Sequence, residues 1–109
     1  MGHDIYLTTD TGEELYYARY AIFNPTSRNK TSVYYIFYAW QFDGGCSGTG
    51  DIMKISREKI SQLVQIHLKN PLPNQMPYGD HMHGLYMLQI AHNWLEKNPT
   101  AKFVQIRFA

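Results

Sequence analysis

Apolar and polar residues alternate along the first part of the chain. Over residues 3–9, Ile5 and Leu7 fall on one side and Asp4, Tyr6 and Thr8 on the other, the period of a half-buried strand. Asp10-Thr11-Gly12 then supplies turn chemistry. The alternation resumes over residues 13–23, with Tyr16, Ala18, Tyr20 and Ile22 facing one way and Leu15, Tyr17, Arg19, Ala21 and Phe23 the other. Residues 3–23 therefore read as a β-hairpin. Residues 24–30 form a loop by composition.

Residues 33–42 are nearly all aromatic or β-branched, so period alone does not decide between helix and strand. A helix capped by Thr31 or Ser32 aligns Val33, Ile36, Phe37 and Trp40, whereas a strand would be apolar on both faces. Helix is the preferred reading. Beyond a glycine-rich stretch, residues 51–55 suit a short strand, and Ser56 caps an amphipathic helix that turns Ile60, Leu63, Val64 and His67 inward. That helix is expected to end near Asn70, before Pro71. Three prolines in residues 71–79 make a rigid connection rather than a domain linker, because the thirty residues from 80 to 109 are too few to fold alone. Asp80 is placed to cap a last helix running to about Lys97, with Met87, Ile90, Ala91, Trp94 and Leu95 as its core stripe and Asn98-Pro99 as its stop. In residues 102–108, Phe103, Gln105 and Arg107 oppose Lys102, Val104, Ile106 and Phe108, which describes a closing strand. The expected fold is a single α+β domain over residues 1–109, with two to three helices covering one face of a mostly antiparallel sheet built on the N-terminal hairpin and the C-terminal strand.

Composition narrows the functional classes. A chain of 109 residues with 44% hydrophobic and 15% aromatic residues can bury a core without metal or disulfide staples. Charged residues are only 17%, so the surface must be rich in tyrosine, amide and hydroxyl groups, and nine tyrosines suit a half-buried sheet or an interface. The net charge of +1, with no like-charge block longer than Glu13-Glu14, argues against a nucleic-acid footprint. One cysteine excludes an internal disulfide and fits a reducing compartment. No apolar run approaches the ~20 residues of a membrane helix, so a cytoplasmic protein without a membrane partner is expected.

The densest chemical signal is Asp43-Gly44-Gly45-Cys46-Ser47-Gly48-Thr49-Gly50-Asp51, which holds four of the eight glycines. Glycine permits positive φ and close approach, so the loop either makes an awkward turn or receives something. The amides of Gly44, Gly45 and Gly48 with the hydroxyls of Ser47 and Thr49 would suit a small anion. The spacing matches neither common phosphate-binding motif, and Asp43 and Asp51 flank the loop with the wrong charge, so a structural turn is the preferred reading. Cys46 is a candidate nucleophile only if a histidine lies beside it in space. Asp80, His81 and His83 look like metal ligands, but their i, i+2 histidines converge only on a strand or irregular loop, and no metal or other cofactor is expected. His67 and His3 read as core histidines with one satisfied nitrogen. Tyr6, Tyr16, Tyr17 and Tyr20 offer stacking surfaces for bases or a protein; with Arg19 the sole interleaved cation, single-stranded nucleic acid is the weaker use and plain sheet packing the simplest account.

The opening Met1-Gly2-His3-Asp4-Ile5-Tyr6, the Tyr17-Ala18-Arg19 segment and the Asp43 to Gly50 loop together resemble a group of small uncharacterised proteins of bacteria and their phages. The resemblance covers about the first half of the chain. It implies a cytoplasmic mobile-element accessory protein and carries over no catalytic residue. The functional expectation is a non-enzymatic interaction or small-ligand-binding module, an accessory or inhibitor of phage origin, that takes a protein partner or a small anionic ligand and is compatible with homo-oligomers. Its binding residues would be Gly44, Gly45, Cys46, Ser47, Gly48 and Thr49, with Tyr17 and Arg19. The alternative is a small hydrolase or transferase centred on Cys46 or Asp43, with a histidine from the last helix.

Overall fold

The two-residue periods assemble into one sheet. The computed structural model describes residues 2–21, 32–45, 47–69 and 83–109. Strands β1 (Gly2–Thr8) and β2 (Glu14–Ala21) form the expected antiparallel hairpin. Its turn is held by the Thr9 hydroxyl, which accepts from the Thr11 and Glu13 amides, and by Gly12 at φ +92°. Strand β3 (Ile52–Ser56) pairs with β4 (Phe103–Phe108), and β4 inserts beside β1. The order is β2-β1-β4-β3, antiparallel throughout. The protein is an α+β domain, as its alternating and helical segments predict.

Among the described residues, three helices pack on one face. Helix α1 (Val33–Ile36) starts at Ser32, whose Oγ accepts from the Tyr35 amide at 3.2 Å. Helix α2 (Arg57–His67) leaves β3 directly, and Ser56 caps it by accepting from the Lys59 amide at 3.1 Å. Helix α3 (His83–Lys97) buries Met87, Leu88, Ala91 and Leu95, a single stripe at helical spacing. These side chains meet Ile5, Leu7, Ile55, Val104, Ile106 and Phe108 from the sheet, together with Tyr34, Phe37, Ile60 and Leu63. The Arg57 guanidinium ties the start of α2 to the end of α3 by donating to the carbonyls of Leu95 (2.9 Å), Asn98 (2.8 Å) and Ala101 (2.6 Å). Those carbonyls close the last helical turn and the connection to β4, and no local sequence signal marks them.

Two expected boundaries move. Residues 33–42 begin as a helix but reverse at Tyr38, which takes φ +52°; the Tyr38 amide bonds to the Tyr35 carbonyl and the Ala39 amide to the Tyr34 carbonyl, the paired bonds of a helix C-terminus that normally places glycine there. A 3-10 turn over Trp40–Phe42 comes next, so Trp40 leaves the buried stripe and is 42% exposed. Helix α2 stops at His67, short of Asn70. Asn70, Asp80, His81, Cys46, the loop 24–30 and the connection 71–79 lie outside the described residues. Among the described residues no helix is long and apolar enough to cross a membrane.

Candidate binding surface

The glycine loop closes the end of the sheet where β1 begins and β4 finishes. Its amides are turned inward. Gly44 donates to the Ser47 carbonyl (2.8 Å), Gly48 to Ala109 (2.9 Å), Thr49 to Phe42 (3.1 Å) and Gly50 to Phe108 (2.6 Å), while Gly45 donates to Asp43 Oδ1 (2.9 Å). Five donors that an anion would need are thereby used by the protein itself. The hydroxyls of Ser47 and Thr49 donate to the Gly48 carbonyl (3.1 Å) and Asp51 Oδ2 (2.8 Å). Gly48 is glycine for space, since a Cβ there would lie 2.6 Å from the Phe108 carbonyl carbon; Gly45 is glycine for torsion, at φ +91°.

A histidine does reach this loop, and it comes from β1. His3, 4% exposed, donates from Nε2 to the Gly45 carbonyl at 2.9 Å. Because a carbonyl only accepts, the neutral ring must take the Tyr34 hydroxyl proton at Nδ1, 2.8 Å away. Asp43 Oδ1 stands 3.7 Å from Nε2. Both ring nitrogens are thus engaged, one more than expected. Burial holds the Tyr34 phenol well above its ordinary pKa, with Asp43 adding to the effect. The last helix supplies His83 to a different partner, the Tyr16 hydroxyl at 2.8 Å, and burial with a contribution from Tyr86 pushes Tyr16 up to about 12. His67 departs from expectation the other way: its Nε2 is enclosed without a hydrogen-bond partner among the described residues, and burial lowers its pKa. No group of three acidic, histidine or cysteine side chains among the described residues converges to hold a metal ion.

The opposite face of the sheet is open. Strand register places Tyr17, Tyr6, Arg107 and Ile52 in one row across all four strands, and Glu14, Thr8, Gln105 and Lys54 in the next. Directly opposed residues share a face, so the pairing alone puts these side chains together. Tyr6 and Tyr17 lie with ring centroids 5.0 Å apart, and the Arg107 guanidinium sits 4.5 Å above the Tyr6 ring. Lys54 lies 5.2 Å above the Phe103 ring. Tyr17 is 42% and Ile52 53% exposed, unusual for side chains of that size. Beyond the first row Asp4 accepts from the Tyr17 hydroxyl (2.6 Å) and pairs with Arg19 (3.4 Å), and its hydrogen bond raises the Tyr17 pKa. A hollow of about 250 Å³ lies between Tyr6, Thr8, Glu14, Ile52, Gln105 and Arg107. A second, of about 580 Å³, is lined by Lys54, Arg57, Glu58, Lys102 and Phe103 among others.

The expected binding residues therefore divide. Tyr17 and Arg19 stand on the open face, whereas Gly44, Gly45, Ser47, Gly48 and Thr49 form the loop at its end. Tyr6 is legible in the sequence as a hairpin tyrosine, and the alternation of residues 102–108 already sets Phe103 and Arg107 on the polar side of their strand. The missing signal is the strand order that lays β4 and β3 beside β1. No family model matches the sequence, and neither a curated protein nor a solved structure gives a significant match. Function has to be read from the site itself.

Proposed function

We propose that the protein is a non-enzymatic binding module whose working surface is the open face of the sheet. The observation that carries this reading is the row Tyr17, Tyr6, Arg107 and Ile52, in which the exposed Tyr17, Ile52 and Arg107 flank a half-buried Tyr6. Such groups contribute most when a partner desolvates them. A turn role for the glycine loop is supported by its inward amides, and the loop then serves the surface by fixing the end of β4. A small binding module also suits the accessory role that the resemblance implies. The alternative chemistry at Asp43 gains support from the approach of His3, but that imidazole is buried with both nitrogens bonded and holds no free lone pair for a substrate proton.

A second reading, a protein contact through Tyr38 and Trp40, is favoured by one observation. Tyr38 keeps a left-handed backbone, worth roughly 1–2 kcal/mol against a non-glycine residue, while the residue is 52% exposed. Both surfaces are tested by capture from extract of the native host on immobilised wild type, Tyr6→Ser with Arg107→Gln, and Tyr38→Gly. Species lost with the Tyr6 and Arg107 changes alone support the open face; those lost with Tyr38→Gly alone support the second surface. Identical capture by all three proteins overturns both.

A further inference from the structure

We propose that the occupant of the open face is single-stranded nucleic acid, an inference that rests on the open face being the working surface and adds the chemistry of what binds there. A nucleotide presents a flat base and, a few ångströms away, a phosphate. The face repeats the matching pair twice: Tyr6 with Arg107, and Phe103 with Lys54, each cation within 4.5 to 5.2 Å of its ring centroid. Phe103 and Arg107 are four residues apart on one strand, so the two pairs are separated by about 13 Å at ~3.3 Å per residue, a span suited to an extended strand. Tyr17 widens the first platform at 5.0 Å from Tyr6. Bases stack on aromatic rings and on guanidinium planes, and such stacking tolerates any sequence.

Charge complementarity selects this occupant over a neutral one. Arg107 and Lys54 have no carboxylate within ion-pair distance among the described residues, and each rests on a ring instead. Of the two carboxylates on the face, Asp4 is taken by Arg19 and the Tyr17 hydroxyl. The other, Glu14, lies on the outer strand β2, opposite Thr8. Arg107 on β4 and Lys54 on β3 therefore carry the uncompensated positive charge, and a phosphate backbone follows Arg107 to Lys54; Lys102 shares the second hollow with Glu58, so the charged track ends at Lys54. The overall charge of +1 hides this because the cations come from distant parts of the chain. A duplex keeps its bases stacked inside and cannot use the rings, so single strands are preferred.

The test is fluorescence anisotropy of the full chain with labelled oligo-uridine and oligo-thymidine of roughly twelve nucleotides, and with a duplex of the same length. Saturable single-strand binding is expected, weaker by about sevenfold between roughly 50 and 200 mM salt, because two phosphate contacts give a slope near −1.4 for single strands. Tyr6→Ser and Arg107→Gln each weaken it at least fivefold with unchanged melting temperature, while Tyr38→Gly leaves it intact. Absence of saturable binding up to about 100 μM protein at low salt overturns the inference, as does equal affinity for the duplex with no effect of Tyr6→Ser. Concentration-dependent dimers in sedimentation that Tyr6→Ser abolishes also overturn it, since the face is then taken by a second copy. If oligonucleotides fail but capture from extract still depends on Tyr6 and Arg107, the binding surface stands and its nucleic-acid occupant falls; if neither depends on them, both fall.

Discussion

Replacing Gly48 by alanine tests whether the glycine loop is a structural turn. The new methyl would meet the Phe108 carbonyl carbon at 2.6 Å, its oxygen at 2.7 Å and its Cβ at 2.8 Å. Two of these atoms are backbone, held in β4 between β1 and β3, so they cannot rotate aside. The loop must lift instead. Overpacking of this kind costs about 1–3 kcal/mol. Lifting also threatens the bonds from Gly48 to Ala109 and from Gly50 to Phe108, each worth about 0.5–1.5 kcal/mol net. The expected loss is about 2–4 kcal/mol, or roughly 10 °C or more in melting temperature for a domain of this size. Gly45→Ala provides the contrast, because its Cβ would meet nothing within 4 Å and only the torsion at φ +91° opposes it. That change should cost about 1 kcal/mol. Ser47→Ala, at an exposed side chain, should stay within about 0.5 kcal/mol of wild type. Urea and thermal unfolding of the three variants decide the matter. Gly48→Ala no more costly than Gly45→Ala would refute the close-packed account of the loop.

Single contacts elsewhere set further expectations. Arg57→Ala should cost about 2–4 kcal/mol in urea unfolding, since it removes the guanidinium bonds to Leu95 and Asn98, whose carbonyls keep a backbone donor each, and strands the Ala101 carbonyl; Arg57→Lys should recover little because one ammonium cannot span all three, and full recovery by lysine would show that charge alone matters. Burial lowers the His67 pKa, so the unfolded chain binds that proton more readily than the native one. Its contribution is complete above about pH 6.5 and is lost as pH falls towards the native pKa. Wild type should therefore lose more stability than His67→Gln between about pH 7.5 and 5, and equal losses would contradict the assignment. Tyr38→Gly should leave the melting temperature unchanged or raise it, since relief of the left-handed strain offsets the loss of a half-exposed ring over Lys59; a fall of more than about 1 kcal/mol would show that the ring is needed for packing.

The candidate surface is partly visible in the sequence. Tyr17 and Arg19 fall together on one side of a strand, and Phe103 and Arg107 on one side of another, because a period of two needs only neighbouring residues. That Tyr6 and Arg107 touch depends on β4 inserting next to β1, a pairing across about a hundred residues that no local pattern encodes. The loop shows the same division. Its glycines announce an unusual backbone, but the identity of the groups filling its amide bonds, Phe42, Phe108 and Ala109 among them, comes only with the folded chain.

Strand alternation and the serine caps at Ser32 and Ser56 were determined by the sequence itself, since each is decided within a few residues by side-chain spacing or a single hydroxyl, whereas the helix stripes were legible only in part: Trp40 left its stripe and Leu88 joined that of α3. The left-handed turn at Tyr38 escapes such reading, because a glycine would have signalled it and tyrosine does not. His3 can be placed on the inward side of β1, yet its two partners, Tyr34 and Gly45, arrive from other elements. Tertiary structure alone decided the strand order and the partners of each inward polar group, because these rest on burial and hydrogen bonding between segments far apart in the chain, where local periodicity carries no information.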